Sequence, residues 1–307
     1  MIVVRYRGGL GNQMFQYAFQ LSLERTYGKE NVCADLNHYR LNREHNGYEL
    51  EKAFGIQMRT AANRRIRRLS PYLVPPDGYE RIPDGIRNRL SPKFQHYFPK
   101  LKRKKEGYYR QEYHSSYEPQ VYSLDGEKDW YLDGLWQDLR YFQQYQEEVR
   151  AAFSLDETCP MSGEDLKTLK EIENSESVGV HVRRGDFVNS KFDICSPDYY
   201  WNAFERVEKE LEHPHYFFFS DDPDFVEKQF AAIENKKVLR HDASHSTVDL
   251  KMLASCRHAV LSNSTFAFWG AWLGTYGDRI VIAPRYSLIN QGRKFELRVP
   301  EGWIQDV

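Results

Sequence analysis

Several things are missing from this 307-residue chain. No apolar run approaches the roughly 18–20 residues that cross a bilayer as a helix. The opening residues, Met1-Ile2-Val3-Val4-Arg5-Tyr6, lack a basic leader and a long apolar stretch, so they read as a strand rather than a signal peptide. Cysteine is sparse: Cys33, Cys159, Cys195 and Cys256 lie far apart and form no Cys-x-x-Cys. That argues against a disulfide framework or a zinc site and makes a reducing cytoplasm the default location. Net charge is −1, so the chain as a whole has no nucleic-acid footprint. His181, His241, His245 and His258 have no metal-ligand spacing, and the missing Gly-x-Ser-x-Gly elbow argues against a serine hydrolase. There is no internal repeat and no low-complexity tract.

What is present suits a packed protein with two domains. Hydrophobic residues make up 41% and aromatics 15%. The second half alternates. A helix is expected over 164–173, a strand over 178–182, a helix over 197–211 and a strand over 216–219. Then come a helix over 223–233, a strand over 237–239, a helix over 247–256 with Ser246 as its N-cap, a strand over 258–261, a helix over 265–273 and a strand over 279–283. This rhythm implies βαβ units and a parallel sheet, hence an α/β fold. The first half opens alike: a strand over 2–6, a glycine-rich turn over 8–13, a helix over 14–27 and a strand over 32–35. We therefore expect an N-terminal α/β domain over 1–150 and a C-terminal one over 151–307.

Between residues 63 and 105 lie 13 Lys or Arg against 3 Asp or Glu, a local charge of +10. Its prolines argue against one long helix. It reads either as a solvated insertion or as a segment drawn to an anionic acceptor or to the inner face of a membrane, which would make the protein peripheral there.

In parallel sheets ligands bind outside the carboxyl ends of the strands. Three polar clusters fall at such ends. The first is His181-Val182-Arg183-Arg184-Gly185-Asp186-Phe187. Arginine presents a rigid fork of donors matched to phosphate oxygens, so the pair points to an anionic ligand; the alternative is a surface ion pair. The second is Ser220-Asp221-Asp222-Pro223-Asp224. Asp222 before Pro223 suits a helix N-cap first. Asp221 or Asp222 as acceptor for a guanine N1–H and N2–H2 pair comes second, and an Asp222/Asp224 metal site third. The third cluster is Ser262-Asn263-Ser264-Thr265, whose hydroxyls at a helix start suit either capping or phosphate. The helix after it carries Trp269 and Trp272 on one face, for core packing or for stacking on a sugar. Near the N-terminus, Gly8-Gly9-Leu10-Gly11-Asn12-Gln13 is neither a Walker loop nor a dinucleotide fingerprint. Its glycines allow close backbone approach to a ligand, or only a tight turn, and Asn12 and Gln13 add neutral hydrogen-bonding groups at that edge.

Taken together, Gly8 through Ala18, His181 through Phe187, and Asp249-Leu250 with Leu261 through Leu273 make the chain resemble the bacterial α-1,2-fucosyltransferases of glycosyltransferase family 11. The His-x-Arg-Arg-x-Asp motif is shared with α-1,6- and protein O-fucosyltransferases. The Gly-Asn-Gln-Met-Phe-Gln-Tyr run and the aromatic helix point to the α-1,2 group. The resemblance implies a GT-B-type fold, with two Rossmann-like domains facing each other across a cleft. It implies GDP-β-L-fucose as donor, no cofactor and no metal, inversion at the anomeric carbon, and transfer to the 2-hydroxyl of a β-galactoside glycan. The N-terminal domain would serve the acceptor. Arg183 would hold the β-phosphate, aided by Arg184; His181 and Asp221 or Asp222 would contact guanine; Ser264 and Thr265 would sit by the pyrophosphate. Gly9 and Gly11 would let the backbone approach the donor, and Asn12 would lie near the reacting centre. Asp186 would be either general base or a support for an arginine. The family often has Ser and Trp where this chain has Ala267 and Phe268, and Tyr where it has Phe187; these departures bear on the acceptor more than on the donor. Competing readings are a fucosyltransferase of another linkage and a non-catalytic nucleotide- or glycan-binding protein.

Overall fold

The structure is a computed structural model and describes residues 1–41, 46–69, 106–112, 116–155 and 159–307. The chain divides into two compact units, Met1–Ala152 and Phe153–Val307.

The N-terminal unit is built on β1 (Ile2–Arg5), β2 (Val32–Asp35), β3 (Tyr108–Arg110) and β4 (Trp130–Asp133), ordered β2-β1-β4-β3 with every pairing parallel. Its helices are α1 (Leu10–Tyr27), α2 (Asn37–Leu41), α3 (Leu50–Phe54), α4 (Asn63–Leu69) and α5 (Gln146–Ala152). Strand period puts Val3, Cys33, Tyr108 and Tyr131 on one face, where they pack with Ala61 and Ile66 of the segment that enters and forms α4. The sequence did not announce β3 and β4. Both are short, and their polar ends, Arg110 and Asp133, carry no alternation strong enough to mark a strand.

Helix α1 begins at Leu10, not Met14, so Gly11, Asn12 and Gln13 form its first turn and only Gly8 and Gly9 make the bend. Gly8 has φ +83, a left-handed conformation that glycine adopts without penalty. Polar side chains along α1 explain why this helix lacks a clean apolar stripe. Gln16 accepts from the Arg7 N–H at 3.0 Å and donates to its carbonyl at 3.1 Å. Gln13, wholly buried, donates to the carbonyls of Gly8 and Gly47 and accepts from the Glu49 N–H. Gln13 is thus a clamp on the bend and not a group presented at its edge.

The C-terminal unit carries β5 (Glu176–Val182), β6 (Pro214–Ser220), β7 (Lys236–Val238), β8 (His258–Val260) and β9 (Val281–Ile282) in the parallel order β7-β6-β5-β8-β9. Around it lie α6 (Gly163–Glu173), α7 (Pro197–Glu208), α8 (Pro223–Gln229), α9 (Ser246–Ser255) and α10 (Thr265–Leu273). This is the doubly wound order, with β5 central and the chain leaving in opposite directions from β5 and β8. Val178, Val180 and Val182 pack on Tyr200, Phe204 and Val207 of α7, while Phe217 and Phe219 face Met252 and Leu253 of α9. A hairpin of β10 (Tyr286–Asn290) and β11 (Arg293–Glu296) follows, also unannounced by the sequence.

Boundaries shift in places. Helix α8 stops at Gln229, and the last parallel strand is only Val281–Ile282, its neighbours being tied instead to the C-terminal segment through Ala283 and Ile304. Ser246 is the first residue of α9, not its cap; His245 holds that position. Helix α6 has a full capping box in which Ser162 and Asp165 bond each other's backbone N–H groups. Trp269 and Trp272 are buried and meet edge-to-face, with Phe153 against Trp269, so this pair is core and presents no face for a sugar. The four cysteines are free thiols, Cys33 and Cys256 buried. Of the basic segment, residues 70–105 lie outside the described ones; α4 is its start. Among the described residues no helix is long and apolar enough to cross a membrane.

Candidate functional site

The carboxyl edge of the C-terminal sheet gathers the polar clusters from three neighbouring strands. β5 runs into His181 to Asp186, β6 into Ser220 to Asp222, and β8 into Ser262 to Thr265. The gap between β5 and β8 is the switch point, where open parallel sheets bind ligands.

At its centre is the Arg183 guanidinium. Its Nε and Nη2 lie 3.1 and 2.8 Å from Asp186 Oδ1, and its Nη1 lies 3.1 Å from Asp221 Oδ2. Two of its five N–H groups donate to Asp186, and Nη1 is ion-paired with Asp221, which fixes the plane of the fork and leaves at least two N–H groups for a ligand. The side chain keeps 29% of its surface open, so those two are accessible. Asp221 also accepts from the Arg184 N–H through Oδ1 at 2.8 Å, tying the turn after β5 to the end of β6. This close approach requires Gly185, because a Cβ there would stand 2.5 Å from Asp221 Oδ2.

Arg184 turns differently. Its guanidinium lies 3.9 Å from the centre of the Phe225 ring on α8, and Nε is buried without a hydrogen-bond partner, 4.0 Å from Asp222 Oδ2. Asp222 caps α8 by accepting from the Phe225 N–H at 3.1 Å. Asp224 pairs with Arg240. Bidentate acceptance from guanine needs both oxygens of one carboxylate. Asp221 has both engaged and Asp222 has one, so here they hold the turn and the helix start, while each carboxylate keeps further lone pairs for a ligand. The Asp222/Asp224 metal pattern likewise dissolves into a cap and an ion pair. Among the described residues no group of three or more His, Cys, Asp or Glu gathers to hold a metal.

His181 is buried on β5, its Nδ1 2.9 Å from Ser262 Oγ across the switch point. Burial, with the nearby Arg183 charge, lowers its pKa to about 3, so the ring is neutral near neutral pH. Ser262 Oγ accepts from the Ser264 N–H at 3.3 Å. In the tautomer in which that hydroxyl donates to Nδ1, the ring proton sits on Nε2, a donor for an oxygen or ring nitrogen of a ligand. Ser264 caps α10 by accepting from the Phe266 N–H, and Thr265 is the first residue of that helix. Asn263 points inward, donating to the carbonyls of Phe192 and Ser287, and so anchors the loop after β5 and the hairpin. Tyr199 and Tyr200 donate to the carbonyls of Leu261 and His181 and brace both strand ends. The sequence reading named Ser262 and Gly185 only as members of their clusters, without these roles, and passed over Phe225. A glycine inside a charged turn was the available signal for Gly185; the other two depend on cross-strand neighbours.

Gly9, Gly11 and Asn12 belong to the N-terminal unit. Gly9 is the N-cap of α1, Gly11 is in its first turn, and Asn12 Oδ1 accepts from Gln137 Nε2 at 2.7 Å.

The family described as Glycosyl transferase family 11 matches residues 1–304. Among relatives, the O-antigen biosynthesis glycosyltransferase WbnK of Escherichia coli is 28% identical over 91% of this chain and 92% of its own. An α-1,2-colitosyltransferase of Escherichia coli is 27% identical over 99% and 98%. Among solved structures, the fucosyltransferase NodZ from Bradyrhizobium aligns with a TM-score of 0.48 at 16% identity, covering 97% of this chain and 99% of that one. Two Rossmann-like units, each on a parallel sheet, are the build of GT-B-type enzymes. Matched along nearly its whole length, this chain belongs to glycosyl transferase family 11.

Proposed function

We propose that the protein is an inverting galactoside α-1,2-fucosyltransferase that moves L-fucose from GDP-β-L-fucose to the 2-hydroxyl of a terminal β-galactoside and needs no metal. The observation that carries this reading is the Arg183 fork, held by Asp186 and Asp221 at the end of the central strand with two N–H groups to spare. As the bond from fucose to GDP breaks, negative charge grows on the β-phosphate. A donor fixed in advance stabilises that charge more than the ground state, which is the condition for catalysis. Ser264, Thr265 and the N–H groups opening α10 take the other diphosphate oxygens. His181 Nε2–H meets an acceptor atom of guanine. Arg184, stacked on Phe225, adds positive charge beside the diphosphate and keeps the turn in place. In the N-terminal unit, assigned to the acceptor, Gly9 at the bend and Gly11 in the first turn of α1 admit a close ligand, and Asn12 is the polar side chain that contacts it.

Asp186 takes the positioning role, because one of its oxygens accepts twice from Arg183. An Asp186→Asn enzyme with an unchanged pH–rate profile agrees with positioning; loss of the acid limb, the fall in rate as the base is protonated, would make Asp186 the general base.

The colitosyltransferase that spans the whole chain favours one second reading, a colitosyl donor with the same α-1,2 linkage. The test is a screen of GDP-fucose and GDP-colitose against β-galactosides, with mass and linkage of the product determined and EDTA in a parallel series. Transfer from GDP-fucose to O2 in excess EDTA agrees with the proposal. GDP binding without transfer to any acceptor would leave a nucleotide-binding protein.

A further inference from the structure

A second charged cluster lies at the carboxyl edge of the N-terminal sheet. The last residue of every strand there is charged, with alternating sign across the sheet: Asp35 on β2, Arg5 on β1, Asp133 on β4 and Arg110 on β3. Arg5 Nη1 is 3.1 Å from both oxygens of Asp133, and the Tyr108 hydroxyl donates to Oδ2 at 2.7 Å. Asp133 is buried, which alone would raise its pKa, but Arg5, Arg7 and Tyr108 hold it well below the usual carboxylate range. Asp35 accepts instead from the neutral groups of Asn37 and Tyr131.

Strand period carries the same face onward to Arg7. The backbone of Arg7 is clamped on both sides by Gln16. Its guanidinium is not. Nε is buried with no hydrogen-bond partner and stands 3.7 Å from an Asp133 oxygen already committed to Arg5. The side chain retains 28% of its exposure, so one side faces solvent. Burial, opposed by Asp133 and reinforced by Arg5 and Arg110, lowers its pKa, yet an arginine stays charged. Asp133 is the one carboxylate paired with Arg7 among the described residues, and Arg5 holds it more closely. A half-buried guanidinium with so loose a partner destabilises the fold unless a ligand uses it.

We propose that Arg7 is a binding residue for an oxyanion, a carboxylate or phosphate carried by a substrate, at the edge formed by β1, β4 and the Gly8–Gly9 bend. The start of α1 adds backbone N–H groups to the same place. That the anion belongs to a substrate rests on the transferase reading; the binding itself does not. The fork supplies bidentate donors to such a group.

The test uses the full chain, inorganic phosphate as probe and constant ionic strength. Thermal unfolding is followed through a phosphate titration with and without saturating GDP, and GDP affinity is measured separately. The expected result is a phosphate-dependent rise in Tm that Arg7→Gln loses, or that needs roughly tenfold more phosphate. If the oxyanion is an acceptor's, the response survives saturating GDP and Arg7→Gln leaves GDP affinity unchanged. If it is the donor's diphosphate, GDP abolishes the response and Arg7→Gln weakens GDP by roughly tenfold. Arg183→Gln removes the phosphate bound at the C-terminal site and leaves the Arg7 response standing. Failure of GDP to bind, with the Arg7-dependent response intact, would sink the donor assignment and spare this one. In every case Arg7→Gln should unfold at the wild-type temperature or above it, since it removes a half-buried charge with only a loose partner, and Arg7→Lys should keep part of the response. Unchanged phosphate response and unchanged GDP affinity in Arg7→Gln overturn the proposal. So does a markedly lower Tm, which would make Arg7 a structural ion-pair partner.

Discussion

Replacing Arg183 by lysine tests the catalytic reading most sharply, because it keeps the charge and removes the fork. Arg183 reaches Asp186 through Nε and Nη2 and Asp221 through Nη1, at 2.8 to 3.1 Å, with two N–H groups left over. A lysine ends in a single nitrogen. It can approach one carboxylate or the phosphate, but it cannot be held by two carboxylates while presenting a fixed pair of donors. The loss is that of a preorganised donor aimed at developing charge, worth about 3–4 kcal/mol or roughly 10²–10³ in kcat. Folding should hardly notice, because partly exposed ion pairs contribute about 0–1 kcal/mol each. The assay is steady-state transfer at saturating donor, with product quantified by mass spectrometry and melting followed in parallel. We expect kcat to fall at least about a hundredfold, with a smaller change in donor KM and an unchanged Tm. A folded Arg183→Lys enzyme within about threefold of wild-type kcat would refute the bidentate argument.

Four further outcomes follow from named contacts. Gly185→Ala puts a Cβ 2.5 Å from Asp221 Oδ2, so it should push Asp221 off both arginines and lower kcat while costing about 1–3 kcal/mol in denaturant unfolding. Asp133→Asn leaves Arg5 and Arg7 without their carboxylate, and urea unfolding should register a loss of about 3–5 kcal/mol. Asp222→Ser preserves the cap of α8 and should keep both stability and GDP affinity, whereas Asp222→Ala should cost about 1 kcal/mol; loss of GDP binding in the serine variant alone would return guanine contact to Asp222. His241 has Asp249 2.6 Å from Nδ1 and Asp165 3.0 Å from Nε2, an arrangement that needs protons on both nitrogens. The bond to Asp249 leads in raising its pKa, against burial. The resulting stability is full below the ordinary histidine value of about 6.5 and is lost as pH rises through the raised one. Unfolding measured over that alkaline window should flatten in His241→Gln, and an unaltered slope would refute the pairing.

The rhythm of the second half was legible because apolar strands such as Tyr216 to Phe219 alternate with capped helices. A parallel sheet follows from that alternation, and polar runs after Val182, Phe219 and Leu261 could only fall at its carboxyl edge. The N-terminal unit was less legible. β3 and β4 are three and four residues long and end in charges that make sense only beside each other. Helix α1 hides its buried face behind Gln13 and Gln16, whose amides are satisfied by backbone that only the fold brings near, and Gln20, which accepts from the Tyr6 hydroxyl.

By itself, the sequence determined the α/β class, the edge where the polar clusters gather and the arginine pair that stands there. Strand periodicity, caps and the chemistry of a guanidinium are local, and local rules read them. Only the tertiary structure decided which partner each charge has. It gave Asp221 to Arg183 and the Arg184 backbone, Arg184 to Phe225 and Asp133 to Arg5, and it left Arg7 a looser pair with that same carboxylate. These choices rest on distances between residues on different strands, tens of positions apart in the chain, and no local pattern encodes them.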